Sequence, residues 1–106
     1  MTMRKSISAA LTAECWLNGI RANIILPGTL RTPFWQTRQE KDPKVLEKLE
    51  KWYPLGRIVE PSEIVNVVAF LASHKASAIT GAVLPVDCGL SAGNIFMSRE
   101  LLVQDP

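Results

Sequence analysis

Residues for metal and disulfide chemistry are scarce in this sequence. Cysteine occurs twice in 106 residues, at Cys15 and Cys88, and histidine once, at His74. Neither cysteine lies in a C-x-x-C pair, so a Cys/His metal site has too few ligands. Isolated cysteines without a secretory segment predict reduced thiols in a cytoplasmic protein. The opening MTMRKSISAALTAE has an early Arg-Lys pair but reaches Glu14 before a long apolar run accumulates, which is not a signal-peptide pattern. No run approaches the length of a transmembrane helix, so no membrane partner is expected. Charge of one sign is missing too: 12 basic and 10 acidic residues leave +2, with no basic stripe and no aromatics interleaved with Lys or Arg. Nucleic-acid binding is therefore not expected.

What is present is an ordinary globular composition, 47% apolar and 21% charged, enough for one small domain. Residues 4–17 read as a helix, with Ile7, Leu11 and Cys15 at i, i+4 and i+8 and Asn18-Gly19 as its stop. The stretch IRANIILPGTLRTP, Ile20 to Pro33, is the centre of the reading. Ile20 to Leu26 is predicted to be a strand buried on both faces, as in parallel sheets, with Arg21 a solvated or salt-bridged side chain near its start. It stops at Pro27-Gly28, and the hydroxyls of Thr29 and Thr32 follow. In open parallel sheets ligands sit beyond the carboxyl ends of the strands, so this corner is expected to be one wall of a cofactor pocket.

Phe34 to Lys41 shows no clear period. Asp42 is predicted to cap a helix with Pro43 in its first turn. Val45 or Leu46, Leu49 and Trp52 form its apolar side and mixed charges its wet face. Tyr53-Pro54-Leu55-Gly56-Arg57 breaks that helix, and Pro61 opens another with the stripe Ile64, Val67, Val68, Leu71. Val65 and Phe70 add apolar surface, suggesting that more than one face is covered. His74 falls in a polar loop. Ala82 to Val86 is predicted to be a second strand, at a sheet edge because Pro85 lacks an N–H. Asp87-Cys88-Gly89 closes it, and one helical turn is expected around Arg99 to Val103. Strand, helices, strand makes a βαβ crossover with parallel neighbours.

The phrases LTAECWLNGIRAN, PGTLRTP, PLGRIVEPSEIVNVVAFLAS and ASAITGAVLPVDCG, in this order and spacing from Ala10 to Gly89, resemble the C-terminal part of the short-chain dehydrogenase/reductase family. The resemblance implies an α/β fold: the C-terminal portion of a Rossmann-like doubly wound parallel sheet, two parallel strands with three or more helices, incomplete as a domain. It would occupy residues 1–94, with 95–106 a tail. It makes Ile20–Leu26 the family's sixth strand and Ala82–Val86 its seventh. It implies NAD or NADP, with Pro27 and Gly28 in the turn beside the nicotinamide ring. Leu30 matches the position whose backbone reaches the carboxamide, and Thr32 the one whose hydroxyl binds it. Phe34 and Trp35 match the opening of the segment that covers the substrate. It further implies a small-molecule alcohol or carbonyl substrate, and a homo-oligomer with contacts through the Pro61 helix and the Val86 strand. GLSAGN and WYPLGR look most like members acting on sugars or polyols.

The departures from the family are as informative. The six glycines form no G-x-x-x-G-x-G turn. Ungapped alignment puts the lysine of Tyr-x-x-x-Lys near Met1 and its tyrosine ahead of it, so no catalytic residue is assigned. Tyr53 and Arg57 imitate that spacing, but Pro54 and Gly56 exclude the helix it needs, and Tyr53 reads as packing. Cys88 stands where the family has the first glycine of Val-Asp-Gly-Gly. The expectation is a fragment of an NAD(P)-dependent oxidoreductase that does not bind the dinucleotide or turn over alone. The alternative is a non-catalytic interaction module that self-associates, or pairs with a full-length relative, through its uncovered helix stripe and strand edge.

Overall fold

The computed structural model describes residues 3–93; the turn expected around Arg99 to Val103 lies outside the described residues. Helix α1 is Met3–Cys15, β1 is Ile24–Pro27, α2 is Trp35–Lys41, α3 is Val45–Glu50, α4 is Pro61–Ala72 and β2 is Val83–Val86. Single 3-10 turns follow α1, α4 and β2. Among the described residues no helix is long and apolar enough to cross a membrane. The chain divides into two compact units, Met1–Leu26 with Ser62–Pro85 and Pro27–Pro61 with Val86–Pro106.

In the first unit, α1 passes into the turn Trp16–Asn18 and stops at Gly19, whose φ of 69° is the left-handed conformation expected of that pair. β1 and β2 pair as a two-stranded sheet. The Gly81 N–H donates to the Ala22 carbonyl and the Ile24 N–H to the Ala82 carbonyl, so both strands advance together and the pairing is parallel, as the crossover predicts.

The strand is shorter than predicted: Ile20 to Asn23 lie outside it, and Ile20 is exposed. Side chains explain the difference. The Ala22 N–H donates to Thr80 Oγ1, Asn23 Nδ2 donates to the Ile79 carbonyl, and Asn23 Oδ1 accepts from the Ala82 N–H. These bonds substitute for a backbone ladder before it begins. Arg21 is not the solvated or salt-bridged side chain expected. Its guanidinium is half-buried and donates to the carbonyls of Leu71 (2.6 Å), Ile79 (3.0 Å) and Ser73 (3.4 Å). Ile24, Ile25 and Leu26 are half-buried, not covered on both faces, since one paired strand shields less than two. On α4, Ile64, Val67 and Leu71 are half-buried while Val65, Val68 and Phe70 are exposed, so among the described residues nothing covers a second face.

The second unit holds the buried core: Leu46, Tyr53 and Ile58, flanked by Trp35, Val45, Leu49 and Cys88. Helix α3 begins at Val45, two residues after the predicted start. Asp42 still caps the approach, its Oδ1 accepting from the Lys44 N–H. Trp52, assigned to the apolar side, is 57% exposed; Tyr53 is the buried aromatic, at 2%. Helix α2 was not legible from period. It forms because Trp35 is pinned at its start, Nε1 donating to the Leu30 carbonyl, and Arg38 one turn later lies over the Phe34 and Trp35 rings at 5.2 and 5.3 Å. Those contacts fix the helix without an amphipathic stripe.

Candidate functional site

The candidate site is the corner that leaves β1, and it lies wholly in the second unit. Its chemistry follows from where each backbone donor goes. The Gly28 N–H donates to the Val86 carbonyl at 3.0 Å. The Thr29 N–H donates to the Tyr53 hydroxyl at 3.2 Å, which also meets Thr29 Oγ1 at 2.5 Å. The Arg31 N–H donates to the Val59 carbonyl and the Val59 N–H to the Thr29 carbonyl, a parallel bridge centred on Leu30 and Val59. The Thr32 N–H turns back to the Leu30 carbonyl at 3.0 Å. Pro27 has no N–H. Among the described residues, Leu30 is thus the one position from 27 to 32 whose N–H meets no protein acceptor, and the Thr32 hydroxyl is likewise unengaged.

Gly28 is required by close approach. A Cβ there would lie 3.0 Å from both Cα and Cβ of Asp87 and 3.4 Å from Tyr53 Cε1. Arg31 anchors the outer side of the corner, with Nη2 on Glu50 at 2.7 Å and Nε on Glu60 at 3.0 Å. Both carboxylates are partly solvated, so the pair contributes about 1 kcal/mol at most. Trp35 is half-buried. Its ring meets Phe34 edge-on with centroids 5.9 Å apart, and Phe34 is 66% exposed. All six residues singled out from sequence, Pro27, Gly28, Leu30, Thr32, Phe34 and Trp35, belong to the short ledge 27–35 that leaves β1. A cavity of about 420 Å³ in the first unit, lined by Arg21, Asn23, Ile25, Val68 and Leu71 among others, includes none of them.

The turn after β2 backs this ledge. Cys88 has φ 53°, the left-handed backbone that glycine adopts readily, at a cost of about 1 kcal/mol for a side-chain-bearing residue. Gly89 follows at φ 90°, where a Cβ would meet Pro54 Cβ at 2.9 Å. The Asp87 carboxylate accepts from the Gly89 and Ser91 N–H groups at 3.0 Å each. The Ser91 side chain is the largest influence holding its pKa below the ordinary value; burial opposes it, and the backbone donors add to it. A depressed carboxyl pKa contributes stability above the unfolded value of about 4, and that contribution disappears as pH falls through the folded value. Asp87→Ala is expected to cost about 1 kcal/mol at neutral pH, as loss of a cap does. The gap from the native chain should close below about pH 4. Urea midpoints measured at several pH values check this; a gap constant down to acid would refute the assignment.

Sequence reasoning missed Tyr53 as a partner of the corner, and Arg38. The hydroxyl of Thr29, directly after Pro27-Gly28, was the available signal for the first. For the second it was the three-residue spacing of Trp35 and Arg38.

Comparison with known proteins gives a consistent result. A family model described as Enoyl-(Acyl carrier protein) reductase matches residues 4–91. An uncharacterized oxidoreductase of Schizosaccharomyces pombe is 42% identical over 97 residues, 92% of this chain and 38% of its own length. The (3R)-3-hydroxyacyl-CoA dehydrogenase of Mus musculus is 44% identical over 77 residues, 73% of this chain and 29% of its own. The crystal structure of a short-chain dehydrogenase/reductase family oxidoreductase from Burkholderia thailandensis superposes with TM-score 0.85 at 46% identity, covering 95% of this chain and 40% of that one. The chain therefore spans well under half the length of the relatives it matches. Its strand-and-helix order, its parallel pairing and these matches show that it belongs to the short-chain dehydrogenase/reductase family.

Proposed function

We propose that residues 27–35 form the nicotinamide wall of an NAD(P)-dependent oxidoreductase whose reaction is hydride transfer between the cofactor and an alcohol or carbonyl. The observation that carries this reading is the N–H of Leu30, the one among the described residues 27–32 without a protein acceptor, two residues from the Thr32 hydroxyl, which is likewise unengaged there. A carboxamide offers an oxygen that can accept from an N–H and an amino group that can donate to a hydroxyl. Pro27 and Gly28 set the backbone beside the ring, and Phe34 and Trp35 shield the substrate side. The cofactor supplies the hydride; these residues orient its ring. Among alcohols, GLSAGN and WYPLGR favour a sugar or polyol.

The phosphate-binding turn and the Ser, Tyr and Lys of the family have no match in these 106 residues. Pyrophosphate contacts supply much of dinucleotide affinity, so this polypeptide alone should show no stoichiometric NADH binding by calorimetry. The wall is tested separately, by adding nicotinamide mononucleotide at millimolar concentration to the ¹⁵N-labelled chain. The Leu30 and Thr32 amide resonances should shift, and Thr32→Val should weaken the response by up to about tenfold. Shifts absent from this corner, or unchanged in the variant, would remove the assignment.

A further inference from the structure

Tyr53 is the largest buried side chain of the second unit, and its hydroxyl does more than satisfy itself. A buried tyrosine usually finds one partner. This oxygen accepts the Thr29 N–H and pairs with Thr29 Oγ1, so both polar groups through which Thr29 could turn toward the ledge are held inward. The Thr29 carbonyl is held as well, by the Val59 N–H at 2.9 Å. Residue 29 is therefore fixed at N–H, carbonyl and side chain, and the next peptide N–H, that of Leu30, is left without a protein acceptor among the described residues. The ring itself is buried in one cluster with Leu46 and Ile58, and its Cε1 lies 3.4 Å from where a Gly28 Cβ would be.

We infer that Tyr53 is a positioning residue for the nicotinamide wall, acting through Thr29 to aim the Leu30 N–H outward. The inference rests on the reading of the corner proposed above. It gives the tyrosine a role unrelated to the Tyr-x-x-x-Lys chemistry that its spacing to Arg57 imitates.

Tyr53→Phe keeps the packed ring and removes only the oxygen. In the ligand-free variant the Thr29 amide should exchange with solvent about tenfold faster, since one buried bond is lost. The Leu30 amide resonance should move, while exchange at Arg31, bonded to Val59, stays as in the native chain. With nicotinamide mononucleotide, the Leu30 response should fall by about tenfold. Thr29→Ser, which retains the hydroxyl, should behave as the native chain, and Thr29→Val should lose part of the response; these two serve if Tyr53→Phe does not fold. A Leu30 resonance and nucleotide response unchanged in Tyr53→Phe, with Thr29 exchange accelerated, would make the tyrosine a packing residue and overturn the inference. A native chain whose Leu30 does not respond would overturn the reading of the corner, and the inference with it, whereas the ligand-free exchange data would still report the Tyr53–Thr29 bond.

Discussion

Arg21→Met is expected to lower the stability of the chain by about 3 kcal/mol, through loss of three charge-assisted bonds from a half-buried guanidinium. The carbonyls of Leu71 and Ser73 belong to the end of α4 and the residue just beyond it, where orphan acceptors gather and a cation is favoured. The Ile79 carbonyl lies in the segment that leads into β2. One side chain therefore ties the approach to β1 to both of its neighbours in the first unit. Lysine cannot reproduce this, because one ammonium lacks the planar fork that reaches several acceptors. Arg21→Lys should recover less than half of the loss. Urea midpoints with unchanged slope are the measurement. A Met variant within about 0.5 kcal/mol of the native chain would return Arg21 to the class of ordinary surface residues.

Gly28→Val should cost about 2–3 kcal/mol, by overpacking against backbone that has little freedom to move. Its Cβ would start 3.0 Å from Asp87 Cα, and Asp87 is tied by its carboxylate to the Gly89 and Ser91 N–H groups. The buried Tyr53 ring is the next neighbour, its Cε1 3.4 Å from the same Cβ. Relief would have to come from the corner itself, so Thr29 should slip from the Tyr53 hydroxyl and the Leu30 amide resonance should move together with the stability. Gly28→Ala should fall between native and Val. A Val variant of native stability, with Leu30 unmoved, would show that the space is larger than these distances allow.

Much of the order of elements was legible because its causes are local. Gly19 stops α1 and Pro61 opens α4, each through its own backbone chemistry. The corner was legible for the same reason: Pro27-Gly28 ends the strand wherever the strand is placed. The ends of that strand were not legible. Its start depends on Asn23 and Thr80 taking over backbone pairing across 58 or 59 positions of sequence, which no window of neighbours contains.

By itself, then, the sequence determined the family, the βαβ order and the absence of a phosphate turn and a Tyr-x-x-x-Lys pair from these 106 residues. Tertiary structure alone decided that Arg21 is a half-buried clamp, that α2 exists, that Cys88 adopts a glycine-like backbone and that Tyr53 holds Thr29. Propensity and turn chemistry act between near neighbours and survive in any fold. A hydrogen bond between residues 29 and 53, or 21 and 71, exists only once packing has brought them together, and only then is the donor at Leu30 the one left over.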